Sequence, residues 1–458
     1  MRQHIAQISL VHGWLPIAVQ ATALLLLAVA IGRRIPSWRR RRLPALVVAA
    51  AVLAAISHWY IDSLGLAGNS GPFALWVWIA LTVLSLGVVA AGWAGARWWR
   101  RAVSVLAVGV CTLACVLTVN AWVGYFPTVD AAWDQLTDAP LPGQIDRLTV
   151  TRMQLRHAKP ANGVLVSVDI GSEASGFAHR GELVYLPPAW FATSPPPRLP
   201  AVMMIGSQLN TPADWLRAGS IQGIVDSFAA AHGGYAPVLV FVDATGSFAN
   251  DTECVNGARG NAADHLTKDV VPYLISDFGV RSDRDGWGIV GWSMGGTCAV
   301  DLTLMHPDLF RAFVDIAGDL RPNSGDKAQT IGRLFGGDAN AWTAYDPISI
   351  LASHGPYSDV SAWFEVPDPG PGGRPHDPAA NPEGQDAAAT TLCDAARAHA
   401  ITCSVQTAPG RHDWPFATKA FGEALPWLAG QLHTPDVTET ALPPSELSTS
   451  TLAQGAPR

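Results

Sequence analysis

The run Gly291-Trp292-Ser293-Met294-Gly295, followed by Gly296, holds a serine with a glycine two residues away on each side. A serine hydroxyl becomes a nucleophile when an adjacent base takes its proton. The stretch before it, Gly286–Val290, is apolar and strand-like, and the stretch after it, Thr297–Met305, is helical in character. A strand, a sharp turn and a helix form the setting in which such a serine is raised into an exposed, strained position. Glycine at the flanks removes side chains that would collide with backbone at the bend. The start of the helix favours negative charge developing on a substrate. A bare G-x-S-x-G can be a chance turn, but a strand, a helix and a late histidine in the right order favour chemistry.

That histidine is His412, in the loop Ala408–Trp414 after the last strand candidate. In folds built this way the chain order is serine, acid, histidine. His399 lies inside a helical stretch and His433 at the start of the tail, so both read as surface residues. The acid is expected after the strand Ser361–Val366, where Asp368 is the nearest carboxylate with loop freedom. Glu365 within the strand, Asp377 further along a Pro/Gly-rich loop, and Asp315 and Asp319 one strand earlier are the alternatives. The acid orients the imidazole and stabilises its cation. Oxyanion donors are expected from the backbone N–H of Met294 and from the loop Gly206–Asn210, at Gln208 or Leu209, with Leu209 preferred. Asp243, ending another strand candidate, reads as a turn cap rather than a substrate ligand. Trp190, Trp215, Trp342 and Trp363 read as core, with an acyl-pocket border as the second possibility.

These side chains need a scaffold. Strand candidates are Gly163–Asp169, Glu182–Leu186, Ala201–Ile205, Val238–Val242, Gly286–Val290, Ala312–Ile316, Ser361–Val366 and Cys403–Thr407. Several are continuous apolar runs, as strands buried on both faces require. Helical stretches alternate with them: Ile221–His232, Asp264–Phe278, Gly295–Met305, Ala388–His399 and Phe416–Leu432. Alternation implies an α/β fold around a mostly parallel sheet. The first two strands, joined by a polar, Gly-containing stretch, are expected to open the sheet antiparallel.

GWSMGG around Ser293, VDATG at 242–246 and GRHDW at 410–414 resemble the α/β-hydrolase group that contains esterase D and the mycobacterial mycolyltransferase antigens. The likeness spans roughly residues 180–432. It implies the α/β-hydrolase fold and an acyl-enzyme mechanism through a Ser–acid–His triad. Together with local proximity, it suggests the pairings Cys254–Cys298 and Cys393–Cys403 if this half of the chain lies outside the cytoplasm; four cysteines allow three pairings. Cys111 and Cys115 lie in an apolar run and read as small buried residues.

That run is one of four before residue 125: Trp14–Ile31, Leu43–Ile61, Phe73–Trp93 and Ala102–Gly124. About 20 apolar residues cross a bilayer core as a helix, and none of the four shows the polar face of a soluble amphipathic helix. The region resembles multi-span envelope esterases of actinobacteria. Arg33, Arg34 and Arg39–Arg42 fall between the first and second runs, and Arg97, Arg100 and Arg101 between the third and fourth, while 62–72 has no Lys or Arg. The positive-inside rule then puts both arginine loops in the cytoplasm, with the N-terminus and the region after 125 outside. A cleaved signal peptide fits the first run less well, because an arginine cluster follows it in place of a small-residue cleavage site.

The resulting organisation is a four-span anchor over 1–125, a linker over 126–144, a catalytic domain over 145–433 and a disordered tail over 434–458. Of 458 residues, 49% are hydrophobic and only 15% charged, with a net charge of −7. That balance gives no reason to expect a nucleic-acid partner. No HExxH or paired CxxC spacing supports a metal site, and no cofactor is expected. The expected partners are an acyl-ester substrate, in keeping with the anchor a lipid or envelope-linked one, and the bilayer. Hydrolase and acyltransferase share this triad, and a non-catalytic envelope module on the same scaffold is the third reading. Oligomeric state is not encoded in any recognisable motif.

Overall fold

The computed structural model describes residues 8–32, 38–64, 71–94, 96–137, 139–248, 250–368 and 380–447. Arg33, Arg34 and Asp377 lie outside the described residues, as does the chain after 447. The chain divides into two compact units, Met1–Ala139 and Pro140–Arg458.

The first unit holds four helices long and apolar enough to cross a membrane: Trp14–Ile31, Leu43–Leu64, Phe73–Gly92 and Trp98–Val123. They pack through small side chains, with Ala23, Cys111 and Ala114 fully enclosed. Small residues let helix backbones approach closely, as they do where no hydrophobic effect drives association. The fourth helix starts four residues before the apolar run. It takes Arg100 and Arg101 into its first turn, where their guanidinium groups stack over Trp99 and Trp93. Long basic side chains can do this by lying along apolar surface while their heads stay in polar surroundings.

The expected linker is partly structured. Val129–Leu136 is a helix, its first turn capped by the Thr128 hydroxyl accepting from Ala131 N–H. Two turns are too short to show a sustained period, so only the cap residue could have marked it.

The second unit is built on a nine-stranded sheet. Its strands are β1 (Gln144–Ile145), β2 (Val164–Val168), β3 (Glu182–Leu186), β4 (Ala201–Ile205), β5 (Val238–Val242), β8 (Trp287–Trp292), β9 (Ala312–Ile316), β10 (Ser361–Asp368) and β11 (Thr402–Pro409). A two-stranded ribbon, β6 (Asn256–Gly257) with β7 (Gly260–Asn261), stands apart from it. The order across the sheet is β1-β2-β3-β5-β4-β8-β9-β10-β11. Only β3 runs antiparallel, against both β2 and β5. Every residue of β3, β4, β5, β8 and β9 is buried, which is why each reads as a largely apolar run, broken only by Glu182 in β3 and Asp315 in β9. Helices Gln222–Ala231, Met294–Met305 and Gln385–Ala398 lie in connections between strands, and Trp414–Gln431 follows the last strand. This is the α/β-hydrolase arrangement.

Disulfides join Cys254 to Cys298 and Cys393 to Cys403. The first ties the loop after β5 to the helix Met294–Met305. The tail expected to be disordered is ordered as far as 447. Glu446 N–H donates to Val405 O, its carboxylate accepts from Thr407, and Arg397 donates to the Ser445 hydroxyl. The edge strand β11 has backbone groups with no strand beyond them, and this polar segment covers them. Composition alone pointed to disorder because the segment has few large apolar residues to bury.

Candidate active site

β8 ends at Trp292 and a helix begins at Met294, leaving Ser293 at the bend with φ 57° and ψ −121°. A non-glycine residue there is strained and persists only when its surroundings fix it. Ser293 N–H donates to Ile316 O at the end of β9, while Gly296 and Thr297 N–H groups fold back onto Ser293 O. The flanking glycines are sterically required. A Cβ on Gly291 would stand 1.7 Å from Gly295 O, and one on Gly295 would stand 2.3 Å from Ile205 O. The second contact brings the end of β4, and the loop that follows it, against the elbow.

His412 follows β11 and comes back to the serine: its Nε2 lies 2.9 Å from Ser293 Oγ. Its ring rests on Trp292, centroids 4.3 Å apart, and Trp414 and Phe416 surround the same indole. Burial pushes the imidazole down to about 4, because desolvation penalises the cation. The ring is therefore neutral at neutral pH, and Nε2 can take the Ser293 proton. Nδ1 is enclosed and has no hydrogen-bond partner among the described residues.

Asp368, the expected acid, is the last residue of β10 and is exposed. It faces Pro409 across the strand pair, and its carbonyl accepts from Gly410 N–H at 3.0 Å. Its main chain thus runs beside the segment that carries His412. The alternatives are engaged elsewhere. Glu365 accepts from Trp363 Nε1, and burial, then Glu423 beside it, pushes its carboxyl up to about 8. Asp315 accepts from Gly318 N–H behind the elbow, its carboxyl pushed up to about 7 by burial. Asp319 accepts from Asn323 and Gln385.

Met294 is buried directly after the serine, at the start of the helix. Leu209 is exposed in the loop after β4. That loop is closed by Ser207 N–H donating to Asn210 Oδ1 and Asn210 N–H donating to Ser207 O. Sequence reasoning missed what holds it. Arg180 grips Asp243 through its backbone N–H, Nε and Nη2, and the same Nη2 donates to Asn210 O at 2.8 Å. Asp243 also accepts from Thr245 and Gly246 N–H, the turn-capping role its place at a strand end suggested. An arginine two residues before a buried strand and an aspartate directly after the strand beside it was the available signal.

Of the four tryptophans considered, Trp215 meets Trp414 edge-to-face at 5.3 Å and so joins the group around Trp292. Trp190 packs on Phe278, Trp342 lies beneath Arg321 and Lys327, and Trp363 pairs with Trp427. Among the described residues, one group of His and acidic side chains, His179, Glu182 and His265, has ligating atoms close enough to share a metal ion.

Residues 179–428 match the model of a family described as "Putative esterase", over more than half of the chain. The chain belongs to this esterase family. The esterase is 34% identical over 211 residues to an uncharacterized protein of Corynebacterium glutamicum, a match covering 44% of this chain and 49% of that relative. The matched region thus spans about half the relative's length. Among solved structures it is similar to an S-formylglutathione hydrolase from Agrobacterium tumefaciens (16% identity, 60% of this chain and 97% of that one, TM-score 0.48). A ferulic acid esterase (19%, 59% and 99%, TM-score 0.44) and MPT51 of Mycobacterium tuberculosis (18%, 58% and 99%, TM-score 0.41) are also similar. Family membership identifies residues 179–428 as a domain of the esterase family.

Proposed function

We propose that this esterase cleaves an acyl ester at the extracytoplasmic face of a membrane, through Ser293, His412 and Asp368. The single observation that carries the reading is the 2.9 Å approach of His412 Nε2 to Ser293 Oγ. Ser293 Oγ attacks the ester carbonyl carbon as its proton passes to His412 Nε2. The carbonyl oxygen becomes an oxyanion, received by the backbone N–H of Met294 and a second N–H from the loop after β4, at Leu209. The tetrahedral intermediate collapses, the C–O bond to the alcohol breaks, and His412 returns the proton to the departing alkoxide. Water, deprotonated by the same nitrogen, then attacks the acyl-enzyme and releases acid and free serine.

His412 must carry a positive charge midway through each half-reaction, and a buried imidazolium needs a counter-charge. Asp368 supplies it to Nδ1. The strand pairing that sets Asp368 beside Pro409 and Gly410 supports this assignment over Glu365, Asp315 and Asp319.

Four helices fit to span a membrane precede the hydrolase unit in the chain, and the arginines on alternate loops favour placing that unit outside. A lipid or envelope-linked ester suits an enzyme tethered there. Where a sugar hydroxyl outcompetes water, the same steps give acyl transfer. The test is to treat the full chain in detergent with a fluorophosphonate probe and map the adduct by mass spectrometry. Labelling at Ser293, followed by release of acid from an ester panel with and without added sugar acceptors, establishes the mechanism and separates hydrolysis from transfer. An unlabelled Ser293 in folded protein refutes the reading and favours a non-catalytic module.

A further inference from the structure

On the same edge of the sheet as Ser293, but on the far side of the Arg180–Asp243 pair, two histidines and two carboxylates are buried together. Glu182 opens β3 and is fully buried, and its Oε1 accepts from Asp243 N–H. His265, also fully buried, points Nε2 at Glu182 Oε1, 3.2 Å away, and Nδ1 at Asp269 Oδ2, 3.3 Å away. His179 lies with its ring stacked on His265, centroids 4.1 Å apart, and its Nδ1 2.9 Å from Arg180 O. Glu182 Oε2 is enclosed, 4.0 Å from His179 Nδ1, and has no hydrogen-bond partner among the described residues. The ligating atoms of His179, Glu182 and His265 all lie within 4.8 Å of one another.

Charge frames the problem. Arg180 is committed to Asp243, so Glu182 and Asp269 leave two negative charges facing two imidazoles. Burying uncompensated charge is costly.

We propose that His179, Glu182 and His265 form a structural site for a divalent transition-metal ion of the zinc class. A dication with two neutral imidazoles balances Glu182 and Asp269 and occupies Glu182 Oε2. Imidazole nitrogen with carboxylate oxygen is a donor set such ions accept. Metal–ligand bonds of about 2.0–2.2 Å in tetrahedral geometry put donor atoms about 3.3 Å apart. The Glu182–His265 pair already stands at 3.2 Å, and His179, with Nδ1 4.0 Å from Glu182 Oε2, has the longer distance to close. With Nδ1 of His179 donating to Arg180 O, its lone pair is on Nε2. Asp269 holding Nδ1 of His265, and itself accepting from Ala174 N–H, is the outer-shell carboxylate that orients a ligating histidine. His265 and Asp269 share one face because they are four residues apart on a helical segment, here a π-helical turn, a distortion common at functional sites. The ion would brace the start of β3 against that helix, behind the Arg180–Asp243 clamp. The proposal does not depend on the catalytic reading.

The test uses the full chain in detergent, stripped with a chelator, re-supplied with zinc and measured for bound metal and melting temperature. One zinc per chain and a raised melting temperature are expected. Cobalt(II) substitution should give the visible absorption bands of a tetrahedral nitrogen–oxygen site. His179→Gln, Glu182→Gln and His265→Gln should abolish stoichiometric binding. Asp269→Asn, which touches no metal, should weaken it by about 10–100-fold. Circular dichroism of each variant reports whether it is folded, and Asp269→Asn covers the case in which a buried ligand variant is not. A folded wild-type chain that takes up no zinc overturns the site, as does equal uptake by folded ligand variants.

Discussion

The N–H of Gly410 donates to the carbonyl of Asp368 at 3.0 Å, so the end of β10 is fastened to the chain two residues before His412. That main-chain link is the ground for proposing Asp368 as the partner of the imidazole. Asp368→Asn should keep the fold and lower kcat by about 10²–10⁴-fold, the range in which loss of an orienting acid falls. Steady-state kinetics on an activated ester measures it; a rate within twofold of wild type would move the acid elsewhere.

The pH profile carries the same assignment with a definite sign. The reaction requires neutral His412, so kcat/KM falls as pH drops through its folded-state pKa. Burial alone holds that pKa down at about 4, and a carboxylate at Nδ1 raises it. The acidic limb of wild type should therefore lie above that of Asp368→Asn, with the variant staying half-active to a lower pH. Coincident limbs would mean no carboxylate reaches the ring.

Arg180 acts through the loop it holds. Arg180→Lys retains the charge beside Asp243 and loses the fork that also reaches Asn210 O. We expect kcat to fall by up to the roughly 10²–10³-fold that loss of one oxyanion donor costs. KM for a small ester should change little. A change confined to melting temperature would make the arginine purely structural.

The elbow glycines and the disulfides make stability predictions. Gly295→Ala drives a methyl group into Ile205 O and should abolish activity even where folded protein is recovered by circular dichroism. The Cys254–Cys298 link closes a separation of 44 residues and Cys393–Cys403 one of 10. On chain-entropy grounds their removal costs about 4 and about 3 kcal/mol respectively. Alanine pairs should lower the melting temperature in that order.

Much of this architecture was legible from local pattern. β3, β4, β5 and β9 are largely apolar runs because they are buried on both faces, and their limits are those read from sequence. Ser293 was legible because a strained strand-to-helix turn demands glycines at fixed offsets. What was not legible depends on distant partners. The helix Val129–Leu136 rests on one capping threonine, and the segment to 447 is held by the backbone groups of β11 and by Leu447 packing on the core. His179, Glu182 and His265 come together across 83 residues of chain, with no periodic spacing to announce them. The membrane helices were found to within a few residues. The fourth began early because Arg100 and Arg101 can sit in a helix end while a hydropathy count excludes them.

The most direct test of the central claim is ester turnover by the full chain in detergent, wild type against Ser293→Ala, at equal folded concentration. The account predicts a loss of about 10⁶-fold in kcat, the scale set by removing a nucleophile from an intact triad, with His412→Gln losing nearly as much and the double variant little more. Turnover by Ser293→Ala at the wild-type rate would contradict it.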